Sequence, residues 1–191
     1  MKSIKGTRTE KNLLAAFAGE SQARNRYTYF ASQAEKDGYE HIAAIFLETA
    51  DNEKIHDKRF FKFLEGGEVE ITASYPAGII GSTIDNLKAS AAGENAEHTK
   101  IYPEFARIAE EEGFLQVAKA FEAIAKVEVQ HEKRYRALIG NLEAGRVFKR
   151  EQPAKWKCLK CGYVHEGLEA PEVCPGCLHP RPYFALLSEN Y

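Results

Sequence analysis

Glu53-x-x-His56 and Glu128-x-x-His131 each set a carboxylate and an imidazole three residues apart, on one face of a helix. Oxygen and nitrogen donors in that arrangement suit a divalent cation. A single such pair is commonplace on a solvated helix, but here Glu20 and Glu94 accompany the two pairs. All four acids fall in the middle of stripes otherwise built from apolar residues. Isolated ionised carboxylates at such positions cost several kcal/mol each, so something cationic must compensate. Four carboxylates and two imidazoles suit two divalent iron or manganese ions.

Glu97 adds an asymmetry. It lies one turn along from Glu94 on the same face, whereas the equivalent position near Glu20 is Ala23. A seventh donor would give one metal a choice of ligands and make the two metals inequivalent, which suits redox cycling better than static storage. His98 borders this group and is read as a packing or supporting residue rather than a ligand. Tyr27 and Tyr102 follow Glu20 and Glu94 by two turns, so each phenol is placed to hydrogen-bond a ligating carboxylate.

The four Cys form a second constellation. Cys158-x-x-Cys161 and Cys174-x-x-Cys177 sit on two glycine-containing turns, and no other Cys occurs in the 191 residues. Disulfides would be spread along the chain, whereas two Cys-x-x-Cys pairs aim four thiolates into one tetrahedral volume fit for iron or zinc. Spacing alone favours a structural zinc ribbon. His165 and His179 are close by, but four thiolates already close such a site, so both are expected on the surface.

Four helices must position the bundle donors. Thr7-x-x-Glu10 has the capping-box pattern, and Leu13, Phe17, Glu20, Ala23, Tyr27 and Phe30 then recur at steps of three and four up to Gly38. The second stripe runs from Ile42 through Glu53, His56 and Phe60 to Leu64 and stops at Gly66-Gly67. The segment 66–81 is too long for a tight turn and reads as a crossover. A third helix starts behind Ser82-x-x-Asp85 and runs to Gly113, and a fourth carries Val117, Phe121, Glu128, His131 and Tyr135 to Gly145. Short first and last joints with one long crossover describe a ferritin-like four-helix bundle, so the fold class is mainly α.

The halves repeat. Glu53-x-x-His56-x-Lys58-Arg59-Phe60 matches Glu128-x-x-His131-x-Lys133-Arg134-Tyr135 at an offset of 75, but Gly19-Glu20 matches Gly93-Glu94 at an offset of 74. The third helix has therefore gained one residue between 94 and 110. Pro103 lies in that interval, which predicts a kink or a one-residue π-bulge. After Arg150 the prolines and glycines break any helix. A tail of this size cannot build a core alone and needs the four Cys as a staple. The expected organisation is a bundle over 1–148 and a small metal-bound β/loop module over 149–191.

Composition excludes other classes of partner. Twenty-eight acids balance 26 bases without a basic block, which leaves nothing for a nucleic acid or an anionic bilayer to hold. The first residues lack an apolar leader and no stretch is long enough to span a membrane, so the expected location is cytoplasmic.

With both constellations in view, the chain closely resembles the rubrerythrins. The resemblance is carried by Ala18-Gly19-Glu20-Ser21-Gln22-Ala23-Arg24-Asn25-Arg26-Tyr27, both Glu-x-x-His pairs, Glu94-x-x-Glu97 and the C-terminal Cys pairs, and covers essentially the whole chain. It implies a non-haem di-iron site held by Glu20, Glu53, His56, Glu94, Glu97, Glu128 and His131. It also implies a rubredoxin-like Fe(SCys)4 centre at Cys158, Cys161, Cys174 and Cys177, moving the preferred metal there from zinc to iron, with zinc still able to occupy it in a recombinant sample. The implied activity is reduction of hydrogen peroxide to water in oxidative-stress defence. One iron would exchange His56 for Glu97 as the pair oxidises, with Tyr27 and Tyr102 beside the reacting pair. Electrons would come from a soluble donor, an NAD(P)H-linked reductase or a rubredoxin, and a head-to-tail homodimer would bring one tail near the other bundle. The chain departs from free-standing rubredoxins in its shorter tail and in Leu178, where they usually have Gly.

Two other readings use the same residues. A ferroxidase or iron-binding protein would employ the same bundle with oxygen as oxidant, and a zinc-ribbon scaffold would use the bundle only for contacts. Metal content separates the scaffold from the other two, because three irons and no zinc per chain leave it without a role.

Overall fold

The computed structural model describes residues 2–189. Helix α1 (Arg8–Lys36) starts where Thr7 accepts the Glu10 amide through its hydroxyl at 3.1 Å. The reciprocal arm falls one residue early, since the Glu10 carboxylate accepts the Gly6 amide at 2.7 Å. Helix α2 (Glu40–Phe61) ends sooner than the apolar stripe suggests. The amides of Phe63 and Leu64 turn back to the carbonyls of Phe60 and Phe61, and this tightening swings Leu64 onto the core beside the helix end. Residues 66–81 then cross over without regular structure.

Helix α3 (Thr83–Ala96) is capped by Ser82 and runs into a π segment, Glu97–Ile101, before α4 (Tyr102–Glu111) completes the rod. The extra residue of the second repeat is thus absorbed in a single π turn, as the offset predicts. Pro103 sits in the first turn of α4, where its missing amide costs little. Helix α5 (Leu115–Glu143) closes the bundle. α1 packs on α2, and α3 and α4 pack on α5, giving two helix hairpins face to face. The interior has two apolar clusters. One contains Tyr27, Phe30, Phe46, Leu87 and Tyr135, the other Leu13, Phe60, Tyr102 and Phe121. The acidic stripe residues lie between them.

The tail forms a small antiparallel sheet in the order β2-β1-β3, from β1 (Lys149–Cys158), β2 (Val164–Glu169) and β3 (Phe184–Leu186). The β1–β2 register slips between Lys149 and Ala154, around Pro153, which cannot donate to the ladder. Trp156, Cys158, Ala170, Cys174 and Phe184 make its core. The tail docks at the α1–α2 joint, where the Tyr39 ring stacks on Phe148 with centroids 6.1 Å apart. Among the described residues no helix is long and apolar enough to cross a membrane.

The two Cys turns are near copies. After the second Cys of each pair the chain takes a positive φ, 80° at Gly162 and 62° at Leu178, and the amide there returns to the carbonyl of the first Cys at 2.9 and 2.8 Å. Glycine adopts that conformation freely, but a leucine pays for its Cβ. Leu178 is also 77% exposed, so its side chain recovers little by packing. Leu178→Gly should therefore stabilise the metal-loaded tail by about 1 kcal/mol. Denaturant titration followed through the thiolate–metal absorption checks this, and an unchanged or lowered midpoint would show that the turn carries no strain.

Candidate metal centres

The six bundle donors predicted on four separate helices converge. His56 Nδ1 lies 2.8 Å from Glu53 Oε2, 3.0 Å from Glu128 Oε1 and 3.8 Å from Glu20 Oε1. His131 Nδ1 lies 2.7 Å from Glu128 Oε2, 3.3 Å from Glu53 Oε1 and 3.5 Å from Glu94 Oε2. Glu53 and Glu128 thus send one oxygen to each imidazole, while Glu20 serves only His56 and Glu94 only His131. The result is two four-residue donor groups sharing two carboxylates, with the donor atoms of each group within 4.8 Å of one another.

These atoms fit a pair of bound cations better than a hydrogen-bond network. All six residues are buried, and both oxygens of Glu53 and Glu128, one of Glu20 and of Glu94, and both Nδ1 atoms find no hydrogen-bond partner. Orphaned lone pairs aimed at common points are what a metal satisfies. The remaining oxygens are occupied: Tyr102 donates to Glu20 Oε1 and Tyr27 to Glu94 Oε1, each phenol crossing from the opposite half.

Electrostatics give the same picture. Burial, reinforced by Glu53, pushes Glu20 well above the usual carboxylate range, and burial pushes Glu94 up to about 8. Against burial, His131 and His56 hold Glu53 down to about 2. Against burial in the other direction, Glu128 heads the contacts that raise His131 to about 12 and His56 further still. In the metal-free chain at neutral pH, protons on the imidazoles and some acids take the place of the missing positive charge.

Glu97 stands apart from this convergence. It opens the π segment, half-buried, beside a cavity of about 490 Å³ whose lining includes Gly19, Gln22, Arg26, Tyr75 and Tyr102. Burial, then the Glu20 carboxylate, pushes its acid well above the usual carboxylate range. His98 faces away from the six donors and meets Glu132 of α5, with Nε2 2.5 Å from Oε2. Asn95 and Arg136 bind the same carboxylate. Two supporting residues had no signal in the motifs: Glu132, and Asn52, whose Oδ1 is 3.2 Å from His131 Nε2. Only the repeat could have marked Glu132, because its counterpart Asp57 meets Ser21 as Glu132 meets Asn95.

In the tail, Cys158 Sγ is 3.7 Å from Cys177 Sγ and Cys161 Sγ is 3.6 Å from Cys174 Sγ. Those are edges of a tetrahedron whose centre lies about 2.3 Å from each sulfur, the usual metal–thiolate length. Against burial, the backbone amides of Cys161 and Lys160 hold the Cys158 thiol down to about 7, ready to ligate. His165 and His179 take no part in the Cys group, but both are half-buried rather than on the surface. His179 packs edge-on against Tyr183, which covers it.

A buried di-iron carboxylate site in a ferritin-like bundle, joined to a four-cysteine rubredoxin-like site, defines an iron-binding oxidoreductase. The rubrerythrin family model matches residues 11–139 and the model for the rubrerythrin rubredoxin-like domain matches residues 156–185. The chain belongs to the rubrerythrin family. It is 61% identical to a rubrerythrin of Porphyromonas gingivalis, over 100% of this chain and 95% of that one. It is also 61% identical to a rubrerythrin of Nitratidesulfovibrio vulgaris, over the full length of both. Among solved structures, nigerythrin in its fully reduced, all-ferrous state aligns with a TM-score of 0.61 and 32% identity, covering 97% of this chain and 92% of that one.

Loading the bundle must displace the protons that balance its acids. Adding two equivalents of Zn(II) per bundle site pair at pH 7, with the Cys site already filled, should release at least two protons per chain, from His56 and His131. An indicator dye or proton-inventory calorimetry reads the release. Metal uptake with none would mean that the imidazoles were neutral beforehand.

Proposed function

We propose that the chain is a non-haem di-iron peroxidase that reduces hydrogen peroxide to water. The observation that carries this reading is Glu97, an acid on a π turn that lines a cavity beside the buried donor cluster, where the first half of the repeat has only Ala23. Reduction of one peroxide takes two electrons and two protons and yields two waters. Iron held by Glu20, Glu53, His56, Glu94, Glu128 and His131 would supply the electrons, one as each ion passes from ferrous to ferric.

The remaining work belongs to the chain. Glu97 lines the cavity, and burial favours the protonated form of its acid, so it can deliver a proton and then offer a carboxylate to the more oxidised pair in place of His56. Tyr102 and Tyr27 hold one oxygen of Glu20 and of Glu94, which fixes each carboxylate in place and keeps a hydroxyl proton within the site. The surrounding apolar clusters exclude bulk water, while the cavity is ample for a small diffusible oxidant.

Electrons must then return one at a time, a task suited to the Cys158, Cys161, Cys174 and Cys177 site fed by an NAD(P)H-linked reductase or a rubredoxin. Within one chain the route is long. The tail packs near His41, and twelve residues of helix from there to Glu53 span about 18 Å. That separation supports a head-to-tail homodimer in which one tail serves the other bundle, in the cytoplasm. A ferroxidase would need neither the electron-returning tail nor Glu97.

Rapid mixing of the fully reduced protein with hydrogen peroxide and, separately, with oxygen distinguishes the two activities. Peroxide should oxidise the bundle irons at least tenfold faster, and equal rates would remove the basis of the peroxidase reading. Glu97→Ala should slow peroxide turnover by tenfold or more while both irons still bind. Equal loss of metal and turnover would make Glu97 an ordinary ligand.

A further inference from the structure

The repeat provides an internal control for the two imidazoles. His131 presents Nδ1 to the shared carboxylates and Nε2 to Asn52, 3.2 Å away on α2. With a metal on Nδ1 the ring proton sits on Nε2 and is donated to the Asn52 carbonyl oxygen, which fixes both tautomer and ring orientation. Asn52 immediately precedes Glu53. The residue that immediately precedes Glu128, at the same offset of 75, is Val127. Where His131 meets an amide, the matching position of the repeat carries an aliphatic side chain that accepts nothing, and Val127 lines a surface pocket beside Asn52 and His131. Among the described residues no hydrogen bond is made by His56 Nε2.

A second difference points the same way. Glu97, the extra acid, lines one cavity with Gly19 and with Tyr102, whose hydroxyl binds Glu20 of the His56 donor group, and its repeat counterpart is the buried Ala23. His131 therefore has a tether and no substitute, and His56 has a substitute and no tether. The other main elements of the site, Glu53 with Glu128 and Tyr27 with Tyr102, are matched between the halves.

We infer that Asn52 is a positioning residue that makes His131 the permanent ligand of the pair, and that Val127 in the matching place leaves His56 the imidazole free to let go. This rests on the reading that the site holds two ions and changes ligands as it is oxidised. It adds which residues decide the side on which the change occurs.

The test exchanges the two side chains in the full-length protein. Co(II) binding to metal-free protein is followed optically, since thiolate bands report the tail separately from the bundle. Asn52→Val should weaken binding of one bundle ion by 10- to 100-fold, the usual effect of removing such a partner. Asn52→Asp, which keeps an acceptor, should restore it. Val127→Asn should tighten binding of the other ion by about tenfold, and Val127 is 37% exposed, so the added amide is tolerated. In the iron-loaded protein, Val127→Asn should also raise the midpoint potential of the bundle irons by about 59 mV for each tenfold, because the new tether favours the ferrous, His56-bound state. Affinity changes below twofold in both Asn52→Val and Val127→Asn would overturn the inference, as would a Val127→Asn potential that stays put while its affinity rises. Neither readout uses peroxide, so failure of the peroxidase reading would appear only in the rapid-mixing comparison.

Discussion

Four carboxylates buried against one another cannot all remain charged without a cation, and this repulsion organises the bundle. Glu20, Glu53, Glu94 and Glu128 form a polar layer between two apolar clusters, and replacing any one helix with a purely apolar face would leave its neighbours' lone pairs unsatisfied. The aromatic residues on either side serve two ends. Tyr27 and Tyr102 fill the apolar clusters with their rings and reach the acids with their hydroxyls, so packing and ligand orientation are set by the same side chains. Cations complete this layer, and the upward push on Glu20, Glu94 and both imidazoles without them marks the deficit.

Much of this was legible because the chemistry recurs at helical spacing. The Glu-x-x-His pairs, the capping residues and the one-residue difference between repeat offsets lead to four helices, two donor groups and a π turn, and the structure has them at Glu97–Ile101. What escaped was set by tertiary geometry rather than by period. Leu64 continues the stripe of α2 but sits beyond its end, because a tightened final turn carries it to the core by another path. Asn52 carries no motif, since its importance lies in a ring on another helix. His179 is half-buried because Tyr183, distant from the Cys spacing, folds over it.

The two halves of the bundle share a plan and differ in a handful of side chains that are chemically decisive. Ala23 against Glu97, Arg24 against His98, Asp57 against Glu132 and Asn52 against Val127 all fall on or beside the donor stripe. A duplicated hairpin alone would give a symmetric metal pair. These substitutions make the two donor groups unequal without altering the scaffold. The tail shows the same economy on a smaller scale, with two matching Cys turns that differ where Leu178 holds a backbone conformation glycine takes freely.

The π segment can also be understood as a phase shift. One added residue in an α-helix would rotate everything beyond it by about 100°, turning Tyr102 away from Glu20 and the apolar face of α4 toward water. Widening a single turn confines the slip, so the residues before and after it keep the bearings of their counterparts in α1, and only Glu97 and its neighbours gain a new direction. The insertion thus adds a position to the lining of the site without disturbing the positions already there. A helix that must stay in register at both ends has become able to vary in the middle.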